Sequence, residues 1–84
     1  MLLEVVTPAG SAVSTNADEV IVPGAEGEFG VLPGHTPFIS ALRPGNLRYK
    51  SGAEVHTLSI GAGLVEVTGL DKIVVLTDRA VRPD

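Results

Sequence analysis

The sequence predicts an all-β fold, and three observations lead to that prediction. No window sustains the i, i+3, i+4, i+7 spacing of apolar residues that an amphipathic helix requires. Turn signals built from Gly, Pro, Asn and Asp recur about every eight to ten residues, which is the spacing of short strands in sandwiches and barrels. Short runs of Val, Ile, Leu and Thr lie between them. We therefore expect a β-sandwich of two packed antiparallel sheets, with about ten short strands and no substantial helix, in preference to a closed barrel.

Length and composition describe one small domain over residues 1–84. Apolar residues make up 44% of the chain and aromatic residues only 4%, so the core must be aliphatic. A domain of this size buries only about 60–65% of its unfolded surface. Its stability is then marginal unless a partner covers part of its apolar surface. A net charge of −4 and scattered basic residues argue against nucleic acid as that partner.

Targeting and redox signals are absent from the sequence. It has no cysteine, so neither disulfides nor thiolate metal sites are available. Its longest apolar runs are a few residues, whereas a membrane-spanning helix needs about 20. The start, Met-Leu-Leu-Glu, lacks the basic segment of a secretory signal. We expect a soluble chain that associates with a membrane only through a partner.

Three strands are expected before residue 23. Residues 2–7 and 11–15 are β-type runs separated by the turn Pro8-Ala9-Gly10, which predicts a hairpin. Residues 19–22 follow the turn Asn16-Ala17-Asp18 as a compact third strand.

Residues 23–38 combine turn residues with polar and aromatic side chains. Prolines and glycines recur at close spacing and hold two glutamates, two phenylalanines and one histidine between them. Glycine supplies positive φ and proline fixes φ, so the stretch predicts tight corners around one extended piece at residues 29–32.

The second half of the chain predicts further short strands joined by glycine turns. The turn at residues 43–46 has Pro44 at its second position, and Gly45 is free to take a positive φ there. The most hydrophobic run, residues 73–76, is typical of a central strand. The strands expected after residue 36 are 37–42, 47–50, 53–60, 64–68, 73–76 and a weak 80–81.

No catalytic or cofactor chemistry follows from the motifs. The glycine-rich segment at residues 24–30 lacks the Gly-Lys-Ser/Thr ending of a phosphate loop, and its glutamates would repel phosphate. No serine has a nucleophile-elbow sequence around it. A metal site from Glu26, Glu28 and His35 is formally possible, although no ligand-spacing motif is present. We assign no catalytic, cofactor-binding or metal-binding residue.

Three aromatic residues have more than one interpretation. Phe29 at an acidic turn is either a partner contact or a plug for the end of the sandwich. His35 is expected to hydrogen-bond the turn around Pro33-Gly34 rather than to act in catalysis. His56 falls on a strand and is expected to be a cross-strand or surface residue.

The segment from Val22 to Pro37 resembles the epsilon subunit of F-type ATP synthase, in its N-terminal β-sandwich domain. The shared pattern is an acid-glycine tip, then Pro33-Gly34-His35, then Leu42-x-Pro44-Gly45. Agreement continues over residues 3–8, 61–67 and 75–80, so the resemblance covers the whole chain.

The resemblance implies a ten-stranded, non-catalytic sandwich on the central stalk of the rotor. That domain binds the gamma subunit and the polar loops of the c-ring and couples proton translocation to ATP synthesis. By position, the c-ring contact is Glu28, Phe29 and Gly30, and the gamma contact is Thr7, His35, Thr36 and Ser40. The resemblance places the domain at the cytoplasmic face of the bacterial inner membrane, or the equivalent organellar side, held there through the complex.

Two qualifications accompany the resemblance. The family continues into a C-terminal helical hairpin beyond the point where this sequence stops, so the inhibitory and ATP-binding roles of that hairpin are not assigned to these residues. From the residues alone, a second hypothesis is a free-standing sandwich that binds a carbohydrate or a metal through Glu26, Glu28 and His35.

Overall fold

The computed structural model describes residues 1–82, and within them the chain forms ten β-strands and no helix. Pro83 and Asp84, at the end of the predicted C-terminal segment, lie outside the described residues. The all-β prediction is confirmed, and so is the weak last strand. The strands are β1 (Leu2–Thr7), β2 (Gly10–Asn16), β3 (Glu19–Gly24), β4 (Gly27–Val31), β5 (Phe38–Leu42), β6 (Gly45–Ser51), β7 (Glu54–Ile60), β8 (Gly63–Thr68), β9 (Lys72–Thr77) and β10 (Ala80–Val81).

The strands form one continuous sheet that folds into a two-layered, nearly closed sandwich. The strand order is β10-β7-β6-β3-β5-β8-β9-β1-β2, with β4 paired to the other side of β3. One layer contains β10, β7, β6, β3 and β4, and the other contains β5, β8, β9, β1 and β2. The prediction that the strand over residues 73–76 is central is confirmed, because β9 lies between β8 and β1.

One pairing departs from the antiparallel prediction. β1 runs parallel to β9, with Leu2 opposite Lys72 and Val6 opposite Leu76, whereas all the other described pairs are antiparallel. A parallel pair needs a connection longer than a hairpin, and here the rest of the domain supplies it. Local sequence patterns carry no signal for a pairing between such distant segments.

β3 joins the two layers and is longer than predicted. Its first half pairs with β6, and its last residue, Gly24, pairs with Leu42 of β5. The strand continues past the predicted end at residue 22 because Pro23 needs only its carbonyl, which accepts a hydrogen bond from Arg43 N–H at 3.0 Å. The Ala25 N–H donates to Ala41 O at 3.0 Å and continues this junction.

The core is aliphatic, as the composition predicts. Tyr49 is the only aromatic side chain in the buried cluster, while Phe29 and Phe38 pack against its margin. Alternate residues of β1, β3, β8 and β9 are buried, as expected for strands with one face inward. The buried cluster consists of Leu3, Val5, Val13, Ala17, Val20, Val22, Val31, Leu42, Leu47, Tyr49, Leu58, Ile60, Val65, Val67, Ile73 and Val75.

Gly45 does not adopt the positive φ that is open to a glycine in this turn. Gly45 is the first residue of β6 and is not among the glycines with positive φ. A side chain there would place its Cβ 3.1 Å from the Cβ of Pro23. The glycine is therefore needed for close packing against β3, not for its backbone angles.

Candidate functional site

The β3–β4 hairpin carries the predicted c-ring contact. Its two-residue turn, Ala25-Glu26, is followed by Gly27 at φ 139°, a backbone conformation that glycine adopts most readily. Gly24 is buried, and a Cβ there would lie 2.7 Å from the Gly27 carbonyl oxygen and 2.8 Å from the Phe29 ring. The hairpin is thus closed by a packing contact that no larger residue permits.

Glu28 and Gly30 lie on an edge of the sandwich. Among residues 1–82, β4 pairs only with β3, so its other edge is open. The exposed Glu28 carboxylate accepts a hydrogen bond from Arg48 Nη2 at 3.1 Å. Both partners are substantially exposed, so this ion pair contributes at most about 1 kcal/mol and leaves the carboxylate available to a partner.

Phe29 lies on the opposite side of β4 from Glu28 and is half-buried. Its ring packs against the core and meets the Phe38 ring edge to face, with 5.3 Å between centroids. This packing agrees with the alternative in which Phe29 plugs the end of the sandwich, and the c-ring contact of Phe29 stays a prediction. Any contact with a partner along this strand falls first on Glu28 and Gly30.

His35 and Thr36 belong to the exposed loop of residues 32–37 between β4 and β5. The His35 N–H donates to Leu32 O at 3.1 Å, and its ring Nδ1 lies 2.7 Å from Thr36 O, an arrangement that requires the proton on Nδ1. The ring also packs on Phe38, at 5.0 Å between centroids. The expectation that His35 hydrogen-bonds its own turn is confirmed.

Ser40 and Thr7 both bond to nearby main chain. Ser40 is half-buried on β5 and donates to Ala41 O at 3.2 Å. Thr7 closes the β1–β2 turn: its Oγ1 donates to Gly10 O at 3.3 Å and accepts from Ala9 N–H at 3.2 Å.

The four residues of the predicted gamma contact do not form one cluster. His35, Thr36 and Ser40 lie in or beside β5. β5 is antiparallel to β8, β8 is antiparallel to β9, and β9 is parallel to β1, so β1 and β5 run in the same direction. His35 lies before the start of β5, whereas Thr7 is the last residue of β1, about 17 Å from the start of that strand. His35 and Thr7 mark diagonally opposite corners of the β5-β8-β9-β1 layer.

An exposed apolar surface lies between those corners, and we call it the outer apolar face: Val6, Ile39, Ala41, Leu64 and Leu76. Strand register aligns four of these side chains in one row, with Val6 opposite Leu76, Leu76 opposite Leu64, and Leu64 opposite Ala41. Ile39 is 68% exposed, Leu76 44% and Leu64 39%. Beside Thr7 the face deepens into an open groove of about 520 Å³, lined by Val6, Pro8, Leu64 and Leu76 among others.

The outer apolar face was not predicted as a site, although the sequences of β8 and β9 contain a signal for it. In β8 and β9 the inward residues Val65 and Val75 are buried, yet the outward residues Leu64 and Leu76 are also apolar. Apolar residues on both faces of a strand indicate burial on both sides. In the described residues nothing covers the outward side.

The opposite layer contains a different aromatic pair. Tyr49 and His56 lie opposite each other on β6 and β7, and their rings stack at 4.9 Å between centroids. The Tyr49 hydroxyl accepts a hydrogen bond from Arg82 Nη2 at 3.2 Å. His56 is therefore a cross-strand residue, as predicted.

The structure does not support the metal-binding alternative. Within residues 1–82 there is no group of three or more His, Cys, Asp or Glu side chains that could hold a metal ion. Glu26, Glu28 and His35, which are close in sequence, are thus not brought together as ligands. Over the same residues, the structure has no helix that is long and apolar enough to cross a membrane.

Comparison with known proteins identifies relatives of the whole chain. Residues 1–83 match the family model described as ATP synthase, Delta/Epsilon chain, beta-sandwich domain. ATP synthase epsilon chain 2 of Syntrophotalea carbinolica is 44% identical over 98% of this chain and 59% of its own length. The ATP synthase epsilon chain of Desulforapulum autotrophicum is 48% identical over 98% of this chain and 61% of its own length. The chain therefore spans about three fifths of the length of these relatives.

Solved structures share the fold. A chain in the Euglena gracilis mitochondrial ATP synthase, OSCP/F1/c-ring, superposes with a TM-score of 0.91 at 24% identity, covering 98% of this chain and 52% of that one. A chain in the Tetrahymena thermophila mitochondrial ATP synthase, central stalk/c-ring, gives 0.84 at 15% identity over 98% and 66%. At these identities the superpositions establish the fold alone, whereas the family model and the epsilon chains confirm the resemblance carried by residues 22–37. The chain belongs to the family of ATP synthase delta and epsilon chain β-sandwich domains.

Proposed function

We propose that this chain is a non-catalytic domain of the rotor's central stalk in an F-type ATP synthase, where it fastens the gamma subunit to the c-ring. In this role it couples proton translocation to ATP synthesis without binding a cofactor. The names of its relatives support the assignment to the synthase. The observation that carries the binding role is the presence of two distinct surfaces, a polar edge hairpin and the outer apolar face.

The gamma subunit covers the outer apolar face in this proposal. Thr7 lies at one corner of the face, and His35 and Thr36 lie at the opposite corner. Ser40 lies on β5 between Ile39 and Ala41 of the face, and its side chain is half-buried. The exposed leucines and Ile39 provide apolar area that only a partner can bury. Glu66, which pairs with Ile39 across β5 and β8, adds an acidic group inside the contact. A gamma surface with apolar side chains and a basic residue fits this pattern.

The c-ring contacts the β3–β4 hairpin in this proposal. Glu28 and Gly30 face outward from the open edge, and Phe29 holds the strand against the sandwich from behind. The packed Gly24 and the bond from Ala25 to Ala41 make the hairpin stiff. Stiffness fits a contact that transmits torque. The domain is then peripheral to the membrane, at the cytoplasmic face in bacteria or its organellar equivalent.

Binding to the gamma subunit tests the first contact. Leu64→Asp places a charge in the middle of the outer apolar face, and we expect it to weaken gamma binding at least tenfold in calorimetric titration, about 1.4 kcal/mol. Val55→Asp is the matched control, because Val55 is a 64% exposed apolar residue on β7 in the other layer. Equal affinity of the two variants for gamma would contradict the assignment of this face.

Proton pumping tests the second contact. In assembled synthase, Glu28→Lys should reduce ATP-driven proton pumping while leaving gamma binding unchanged. The control is Glu54→Lys, which changes an exposed glutamate of β7 by the same charge. Full coupling in the Glu28→Lys complex would remove the c-ring role from the hairpin.

A further inference from the structure

Asp71, in the turn between β8 and β9, connects three segments that are far apart in sequence. Its main-chain carbonyl accepts a hydrogen bond from Leu2 N–H at 3.1 Å. Its Oδ1 accepts one from Gly34 N–H at 3.0 Å, and its Oδ2 lies 3.8 Å from the Met1 ammonium group. One side chain therefore contacts the start of β1 and the loop before β5 at the same time.

The backbone of Asp71 is unusual in a way that suits this role. Its φ of 55° makes it the one non-glycine residue with positive φ among residues 1–82. Asp and Asn tolerate this left-handed conformation better than other side chains, but it still carries strain that surrounding contacts must offset. The three contacts of Asp71 supply that support.

Asp71 accepts the hydrogen bond that joins the loop of residues 32–37 to another element of the fold. Within the described residues, the other hydrogen bonds of the loop are internal, from His35 to Leu32 and Thr36. The Gly34–Asp71 bond is the one that reaches another element. The turn also lies beside Pro37, whose Cγ is 3.8 Å from the Cβ position of Gly69. Asp71 is thus placed to fix the position of residues 33–36 relative to the β8–β9 end of the sandwich.

We infer that Asp71 is a positioning residue for the gamma contact: it holds the Pro33–Thr36 segment so that His35 and Thr36 face the gamma subunit in a fixed geometry. The inference rests on the proposed function for the identity of the partner. Without the Asp71 carboxylate, binding would have to order this loop, and the entropy lost in ordering would weaken the affinity.

Two substitutions separate the carboxylate from the backbone. Asp71→Gly keeps the freedom to adopt positive φ and removes the acceptor. Asp71→Asn keeps both the backbone preference and one oxygen that can accept from Gly34 N–H. The matched control is Asp18→Gly, because the Asp18 Oδ2 accepts from Gly52 N–H at 2.8 Å in the same type of bond, on a turn outside the proposed contact.

The first measurement is amide hydrogen exchange at Gly34 in the full chain, by NMR. Asp71→Gly should accelerate exchange about fivefold, as loss of one exposed hydrogen bond predicts, while Asp71→Asn and Asp18→Gly leave it close to wild type. Circular dichroism confirms that each variant is folded. Unchanged Gly34 exchange in a folded Asp71→Gly variant would overturn the inference.

The second measurement is gamma binding by calorimetric titration. Asp71→Gly should weaken binding about five- to tenfold, Asp71→Asn should restore most of it, and Asp18→Gly should have no effect. His35→Ala is measured alongside. If His35→Ala weakens binding but Asp71→Gly does not, positioning by Asp71 is wrong. If neither variant changes binding while Gly34 exchange accelerates, the loop attachment stands and the His35 contact in the proposed function is overturned.

Discussion

The glycines Gly24, Gly27, Gly34 and Gly45 have different structural roles, and only some of these roles are visible in the sequence. Gly27 and Gly34 have positive φ, which turn-rich sequence predicts directly. Gly24 and Gly45 are needed for space, against Phe29 and Pro23 respectively. That need arises from residues in other strands, so it is not visible in the local sequence around Gly24 or Gly45.

Gly24 gives a prediction at this scale. Gly24→Ala places a methyl group against the Gly27 carbonyl and the Phe29 ring, and we expect a loss of about 1–3 kcal/mol in the free energy of unfolding, measured with urea. Gly30→Ala is the control, since the nearest atom to its Cβ position, a Glu19 carboxylate oxygen, is 3.8 Å away. It should change stability by no more than about 0.5 kcal/mol. Similar losses in both variants would show that the Gly24 contact is unimportant.

At the scale of elements, the margin between β4 and β5 is where sequence-adjacent residues meet in space. Phe29 of the proposed c-ring strand packs on Phe38 of β5, and Phe38 packs on His35 of the loop. The proposed c-ring and gamma contacts are therefore joined by one line of three rings. We therefore expect a shift in the hairpin to reach the His35 loop through these packed side chains as well as through the backbone.

A double-mutant cycle tests whether these rings are energetically coupled. Phe29→Leu and Phe38→Leu should each destabilise the domain, and the double variant should lose less than their sum, with a coupling of about 0.5–1.5 kcal/mol. The comparison pair is Phe29→Leu with Leu76→Ala, which lie on strands β4 and β9, separated by β3, β5 and β8. Those two changes should be additive to within about 0.5 kcal/mol. Additivity in both pairs would mean that the rings touch without coupling.

The strands themselves and the β1–β2 hairpin were largely predictable, whereas the pairings between distant strands were not. Turn signals place the ten strands to within a few residues, because glycine and proline act locally. β3 runs beyond its predicted end because Arg43, from another strand, satisfies the Pro23 carbonyl. The Asp71 contacts could not be predicted, since they depend on which segments become neighbours, whereas the outer apolar face had a local signal in the apolar outward residues Leu64 and Leu76.

For the whole molecule, the outer apolar face accounts for part of the high apolar content of the sequence. A small domain that leaves Ile39, Leu64 and Leu76 exposed buries less apolar surface, and the isolated domain is less stable as a result. The expectation of marginal stability stays a prediction, and the face supplies its physical reason. A partner that covers the face adds stability by mass action.

Hydrogen exchange of the buried core amides measures the stability that a bound partner adds. With gamma present at about 100 times its Kd, the globally exchanging core amides of this chain should slow about 100-fold, equivalent to about 2.7 kcal/mol. Val65 and Val75 are suitable reporters because both are fully buried. The Leu64→Asp variant should show little of this slowing at the same gamma concentration. An equal gain in that variant would place the stabilising contact elsewhere.

The parallel pair of β1 and β9 has a consequence for the synthesis of the chain. Leu2 lies opposite Lys72 and Val6 opposite Leu76, so the first strand has no partner on that side until residues 72–76 have left the ribosome. Before then β1 can pair only with β2, as an isolated hairpin that is marginally stable at best. Contacts between such distant segments also slow folding. We therefore expect binding of the proposed partner to follow synthesis of residues 1–77 and not to begin with the N-terminal half of the sandwich.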